Sequence, residues 1–239
     1  MDKIEINIET LRENLNAKLV ASGWDKMLTP YTNGLSFDHI MNTLLVNVND
    51  GKWFTPRFKD VFNAFYECPY DKVKVVIVGQ DPYPQLGVAD GIAFSCSRKG
   101  KAEKSLQYIF KALYGSYEET GRVIYTPEEC DLRRWANQGV LLLNTAFTCQ
   151  VNKIGSHYAI WKSFTEYLFE NLNRHKTGTI FILMGRKAEQ WQVLLPSQII
   201  YKVAHPASAA YRGGRWEHLG VFNKVNDMLK KQNKTPIDW

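Results

Sequence analysis

From residue 73 onward, short apolar runs alternate with longer amphipathic stretches. VKVVIV at 73–78, VLLL at 140–143, TIFILM at 179–184 and IIYKV at 199–203 are almost uninterrupted by polar residues. A short run that is apolar at successive positions fits a strand buried on both faces, as in a parallel sheet. Between the runs the period becomes helical. Leu106, Ile109, Phe110 and Leu113 mark one face, Ile160, Phe164, Tyr167, Leu168 and Leu172 a second, and Leu219, Phe222, Val225 and Leu229 a third. Ile8, Leu11, Leu15 and Leu19 predict another helix near the start of the chain, whereas residues 22–60, rich in turn-forming and aromatic residues, give no clear period. Strands separated by long amphipathic helices predict an α/β fold with three layers, α/β/α, around a central, mainly parallel four-stranded sheet. No repeat, low-complexity tract or linker interrupts the pattern. Residues 1–239 are therefore taken as one domain, with 1–70 its helical and irregular N-terminal portion.

Composition narrows the class. The chain has 239 residues, 45% apolar and 23% charged, as expected of an ordered globular protein. A formal charge of +6 suits a phosphate-rich partner without requiring one. Cys68, Cys96, Cys130 and Cys149 lie far apart with no CxxC pair and are expected to be reduced thiols. The five histidines form no HExxH and no close Cys/His cluster, so no metal site and no cofactor are expected. No apolar run approaches the roughly 18 residues of a membrane span. A soluble, intracellular, monomeric protein is expected, cytoplasmic or in a host-cell compartment if the source is viral.

The residues at the end of each apolar run are more informative. GQDPY succeeds the first, Asn144-Thr145 the second, Gly185-Arg186-Lys187 the third and Ala204-His205-Pro206 the fourth. In an open parallel sheet these positions share the carboxyl edge, where ligand crevices form, so one pocket can hold Asp81, Asn144 and His205. Each also has a structural reading: Asp81 as a turn anchor, Asn144 as a cap and His205 as a hydrogen-bonding core group. Their coincidence on one edge favours a site. GxGxxG, GxxxxGK[ST] and GxSxG are all absent. An Asn amide offers a donor and an acceptor to a nucleobase edge, an aromatic ring stacks on its face, and His donates to a ring oxygen. An aspartate beside them can orient water or offset positive charge on a sugar.

From Val73 to Trp239 the chain resembles the family 1 uracil-DNA glycosylases. The resemblance rests on Gly79-Gln80-Asp81-Pro82-Tyr83, Gly91-Ile92-Ala93-Phe94-Ser95, Gly139 to Asn144, the loop His205 to Gly213 and the ending Pro236-Ile237-Asp238-Trp239. It implies hydrolysis of the bond between uracil and deoxyribose in DNA after the base is flipped out of the stack, leaving an abasic site. Asp81 and His205 would then be catalytic, Asp81 positioning water and stabilising the sugar cation, and neutral His205 donating to uracil O2. Asn144 would read the pyrimidine edge, Phe94 stack on it, Tyr83 crowd C5 and Gln80 complete the wall. Uracil-containing DNA is the implied partner, and a protein inhibitor of uracil-DNA glycosylases a further one. Two other readings stand beside this one: a DNA-binding relative with little or no activity, and a glycosylase for another modified base.

Three departures from the family pattern matter. Pro84 replaces the usual His after GQDPY, removing a polar partner of the water or of Asp81, for which Asp90 is a candidate substitute. The loop after His205 is one residue short, with Ala209 or Ala210 where the family places a bulky leucine. A small wedge predicts a preference for single-stranded DNA, with Tyr211 and Arg212 as partial replacements. The family's proline-rich loop becomes Arg98 to Ser105, whose four basic residues, including Lys101 and Lys104, are expected to hold the backbone electrostatically. Ser105 is either a phosphate contact or a helix N-cap. Ser208, Lys187 and Arg215 complete the expected DNA path, although a solvated surface is the simpler reading for any single lysine or arginine.

Overall fold

The computed structural model describes residues 7–114 and 129–239. Six strands occur among them: β1 (Phe54–Thr55), β2 (Val75–Gly79), β3 (Val140–Asn144), β4 (Cys149–Gln150), β5 (Ile180–Met184) and β6 (Ile199–Val203). Four form the central sheet in the order β3-β2-β5-β6, every pair parallel. Every residue of β2 and β5 is buried, and so is β3 up to Asn144, because helices cover both faces; this is why their sequences show no polar alternation. β6 is an edge strand and only its last residue is buried. The fold is the expected three-layer α/β/α arrangement.

The helical layers are joined to the sheet by aromatic packing. In the helix Tyr158–His175, Phe164 is fully buried. Its ring centroid lies 5.2 Å from Tyr31, 5.8 Å from Phe62 and 5.0 Å from Phe147. A second cluster joins Lys104–Tyr114, Arg133–Ala136 and Val221–Lys231. Here Trp135 meets Phe110 at 6.1 Å and Trp239 at 5.4 Å, and Phe222 meets Trp239 at 4.9 Å. The buried apolar residues form one continuous cluster from Leu15 to Trp239.

The N-terminal portion is more regular than its composition suggests. Residues 22–60, which show no clear period among their turn-formers, contain the helices Asp25–Thr32 and Leu35–Asn49. Phe37, Ile40, Met41 and Leu44 are buried at helical spacing on the latter. The intervening Asn, Thr and Val residues have modest helix propensity, and burial of this face outweighs it. At the other end, Leu219 leaves the predicted periodic face: the helix begins at Val221, and Leu219 is exposed with φ 54°. β1 pairs antiparallel with β4, tying the N-terminal portion to the loop after β3.

Phe164→Ala should destabilise the protein by about 3–5 kcal/mol, because deleting a buried ring loses transfer free energy and leaves a cavity. Urea denaturation monitored by tryptophan fluorescence measures this; a loss below about 1 kcal/mol would remove the ring cluster from its assigned role.

Candidate active site

β2 and β3 end in register, Gly79 opposite Asn144, and their exit loops are bonded together. Thr145 N–H donates to the Gly79 carbonyl at 3.2 Å, while Thr145 Oγ1 and Ala146 N–H donate to the Gln80 carbonyl at 2.9 and 3.3 Å. Gly79 is required by close approach. A Cβ there would lie 2.6 Å from Asn144 Oδ1 and 3.0 Å from Phe94 Cζ. Around this contact is a cavity of about 230 Å³ whose lining includes Gln80, Asp81, Tyr83, Phe94, Asn144 and His205. The catalytic and base-contacting residues expected from the sequence thus share one chamber. Ser105 lines it too, as the second residue of the helix Lys104–Tyr114 and not as its N-cap.

Phe94 has φ 67°, a costly backbone conformation for a bulky residue. Tyr83 donates its hydroxyl to the Phe94 carbonyl at 3.1 Å and helps to hold the turn. His205 sits 5.8 Å from the Phe94 ring, centroid to centroid. Its Nδ1 accepts from Ala207 N–H at 3.2 Å, so the proton of a neutral imidazole resides on Nε2, which is free to donate. Burial pushes the His205 pKa down from 6.5 to about 4. The ring is therefore a neutral donor at physiological pH.

Asp81 is subject to opposing effects. Burial raises its pKa, while the Tyr158 hydroxyl, the Gly155 N–H, the Gln80 side chain and the Lys187 charge act against the rise. Tyr158 donates to Oδ2 at 2.5 Å and Gly155 N–H to Oδ1 at 3.3 Å. Neither donor is among the residues expected from the sequence. The signal that could have found them is Gly155-Ser156-His157-Tyr158, a polar cluster on the connection after β3, hence on the same edge. Asp90 does not take the role open beside Pro84. It is fully buried and accepts from Ser95 Oγ and Ser97 Oγ, each at 2.6 Å, and from Ile92 N–H at 3.2 Å. These bonds make it the organiser of the 90–97 turn.

The outer residues divide. Lys101, Lys104 and Lys187 are exposed. Arg98 instead bonds Asp60 at 2.7 Å, and Lys99 pairs with Glu103, so two of the four basic residues in that loop carry internal partners. Arg212 pairs with Glu217, and Arg215 lines a separate shallow recess with Tyr108 and Trp216. Ala209 is fully buried and cannot serve as a wedge; Tyr211 is 92% exposed. Ser208 Oγ is buried without a hydrogen-bond partner.

The family model described as the Uracil DNA glycosylase superfamily matches residues 65–230. The chain belongs to this superfamily. A uracil-DNA glycosylase of Campylobacter jejuni is 34% identical over 100% of this chain and 99% of its own length, and one from Dichelobacter nodosus is 37% identical over 97% and 99%. The similarity thus extends beyond Val73–Trp239 into the N-terminal helices of this glycosylase-superfamily chain. The crystal structure of mimivirus uracil-DNA glycosylase superposes with a TM-score of 0.81 at 25% identity, covering 98% of this chain and 89% of that one. A variant of the mimivirus protein, solved in complex with UGI, superposes with a TM-score of 0.79.

His205 should remain neutral down to about pH 4 instead of titrating near 6.5. Its depressed folded-state value means that the unfolded chain binds the proton first, so the linked stability is complete above about 6.5 and declines as pH falls toward about 4. Imidazole ¹⁵N NMR should report an Nε2–H tautomer throughout the neutral range; a doubly protonated ring at pH 6 would refute the assignment.

Proposed function

We propose that the protein is a monofunctional uracil-DNA glycosylase that hydrolyses the N-glycosidic bond of deoxyuridine in DNA, releasing free uracil and leaving an abasic site. The observation that carries this reading is the neutral His205, with an available Nε2–H, facing the same cavity as an aspartate held by donors and an Asn–Phe pair suited to a pyrimidine. Bond cleavage leaves negative charge on uracil and positive charge on the sugar. His205 stabilises the first by donating to O2, and Asp81 the second while it positions the attacking water. Water adds hydroxyl to the sugar carbon, and its remaining proton leaves through Asp81 or solvent. Asn144 pairs with the pyrimidine edge, Phe94 stacks on its face and Tyr83 narrows the space at C5. This reaction uses no metal and no organic cofactor.

DNA is held at the rim. Lys101, Lys104 and Lys187 attract phosphates, and Ser105 and Ser208 supply hydroxyls near the pocket mouth. Ser208 Oγ, buried and without a partner, is a donor suited to a phosphate oxygen. The shortened loop transfers the wedge role to Tyr211, whose exposed ring can stack in the gap left by the flipped base. Single-stranded uracil remains the faster substrate because extrusion from a duplex costs a few kcal/mol. The mimivirus complex with UGI supports the same inhibitor protein as a partner of this chain.

Purified protein should release uracil from uracil-containing DNA in the presence of EDTA, and Asp81→Asn should slow single-turnover release by about 10–1000-fold while leaving the melting temperature close to wild type. Liberation of another base but never uracil would defeat the assignment. Tyr211→Ala should lower the rate on duplex substrate by about tenfold and leave the single-stranded rate nearly unchanged, the scale of one lost stacking contact. Equal effects on both substrates would exclude Tyr211 as the wedge.

A further inference from the structure

Tyr158 begins the helix Tyr158–His175, immediately after a loop that returns to the carboxyl edge of the sheet. Its hydroxyl donates to Asp81 Oδ2 at 2.5 Å across 77 residues of sequence. The ring is held from two sides. Gly155 packs against it so closely that a Cβ at that position would lie 3.3 Å from Tyr158 Cε2, and Lys187 Nζ stands 5.3 Å from the ring centroid. Gly155 also donates its N–H to Asp81 Oδ1. One short segment therefore supplies a donor to each oxygen of the carboxylate.

Beyond that segment, the adjacent Gln80 side chain also hydrogen-bonds Asp81. Pro84 succeeds the GQDPY motif with neither an N–H nor a polar side chain, and the nearby Asp90 is committed to its own turn. We propose that Tyr158 is a positioning residue for the reaction: its hydroxyl fixes the Asp81 carboxylate in the orientation needed to hold water, a task that the Pro84 position does not perform. This rests on the glycosylase reading of the site. Tyr158 acts through Asp81 and touches no reacting atom.

The arrangement has an electrostatic consequence. A hydrogen bond donated to a carboxylate favours its ionised form. The titratable or charged groups around Asp81 are Tyr158 on its helix, Lys187 after β5, Cys149 on β4 and His205 after β6. Burial drives the Cys149 thiol up to about 12, so it is neutral in the acid range, and pushes His205 down to about 4. The Lys187 charge acts on Asp81 in the same direction as Tyr158. Ionised Asp81 is the competent form; removing a donor raises its pKa and moves the acid limb of the rate profile to higher pH.

The test is Tyr158→Phe, which keeps the ring and its packing, measured by single-turnover uracil release as a function of pH and by ¹³C NMR titration of the Asp81 carboxyl in the free protein. The plateau rate should fall about tenfold, and both the acid limb and the carboxyl titration should rise by about one pH unit, the scale of a hydrogen bond to a charged group. Lys187→Met, at an exposed position that cannot disturb the core, should move both in the same direction by less. A folded Tyr158→Phe protein with wild-type rate and acid limb overturns the assignment and leaves the glycosylase reading intact. A wild-type protein that releases no uracil overturns that reading and the proposal together, even if the carboxyl titration still shifts. A lower rate without movement of either pH readout assigns Tyr158 a packing role only and also overturns the proposal.

Discussion

The parallel pairing of β2 with β3 on one side and β5 on the other is the constraint on which the site depends. The β2–β3 ladder closes on the Gly79–Asn144 rung, and beyond it Thr145 and Ala146 donate hydrogen bonds to the carbonyls of Gly79 and Gln80. A slip of one residue would turn every side chain of the strand to the opposite face. Asn144 would leave the cavity and Gly79 would lose its place beneath the amide. Because both strands are buried, such a slip would also expose one helical layer's contacts, so core packing specifies the placement of the chemical groups. The strand that leads to Asp81 is central, which fixes that residue more firmly than an edge strand would.

Within the cavity, burial shifts Asp81 and His205 in opposite directions. Desolvation opposes charge on both. His205 meets no compensating acid, and its Nδ1 is already occupied as an acceptor from Ala207, so it remains neutral with a directed Nε2–H. Asp81 is surrounded by donors, and a lysine lies behind them. The proposed reaction requires this division: a neutral donor for the departing base and an anion beside the sugar. The strained Phe94 backbone belongs to the same design, since the Gly79 surface and the Tyr83 hydroxyl hold its ring where a base can stack.

The sheet is legible in the sequence because burial on both faces removes polar alternation, leaving runs that stand apart from the helical periods around them. The placement of Asp81, Asn144 and His205 on one edge is legible because each lies just past the end of such a run. The two helices within residues 22–60 are less visible, since their apolar face is interleaved with residues of low helix propensity and becomes decisive only when it meets the rest of the core. Tyr158 is hidden for another reason. Its hydroxyl reaches Asp81 across 77 residues, so the polar Gly155-to-Tyr158 cluster marks the edge it lies on without marking its partner. Arg98 and Lys99 illustrate a third limit: sequence counts their charge, but only the fold reveals that Asp60 and Glu103 partly offset it.

Such internal pairing bears on how DNA would be held in the proposed reaction. The net charge of +6 suits a long-range attraction to phosphates, yet several positive groups are already paired, Arg212 with Glu217 among them. Electrostatic attraction common to every phosphate cannot distinguish a flipped base from a stacked one. In the proposed reaction, discrimination comes from contacts that exist only when the base has left the helix: the Asn144 edge, the Phe94 face and an aromatic ring able to occupy the vacated space. Burial of Ala209 and exposure of Tyr211 arise from the same short turn, which folds Ala209 inward against the core and leaves Ala210 and Tyr211 outside. In the proposed complex the exposed Tyr211 ring, and not Ala209, is the group able to fill the gap in the duplex.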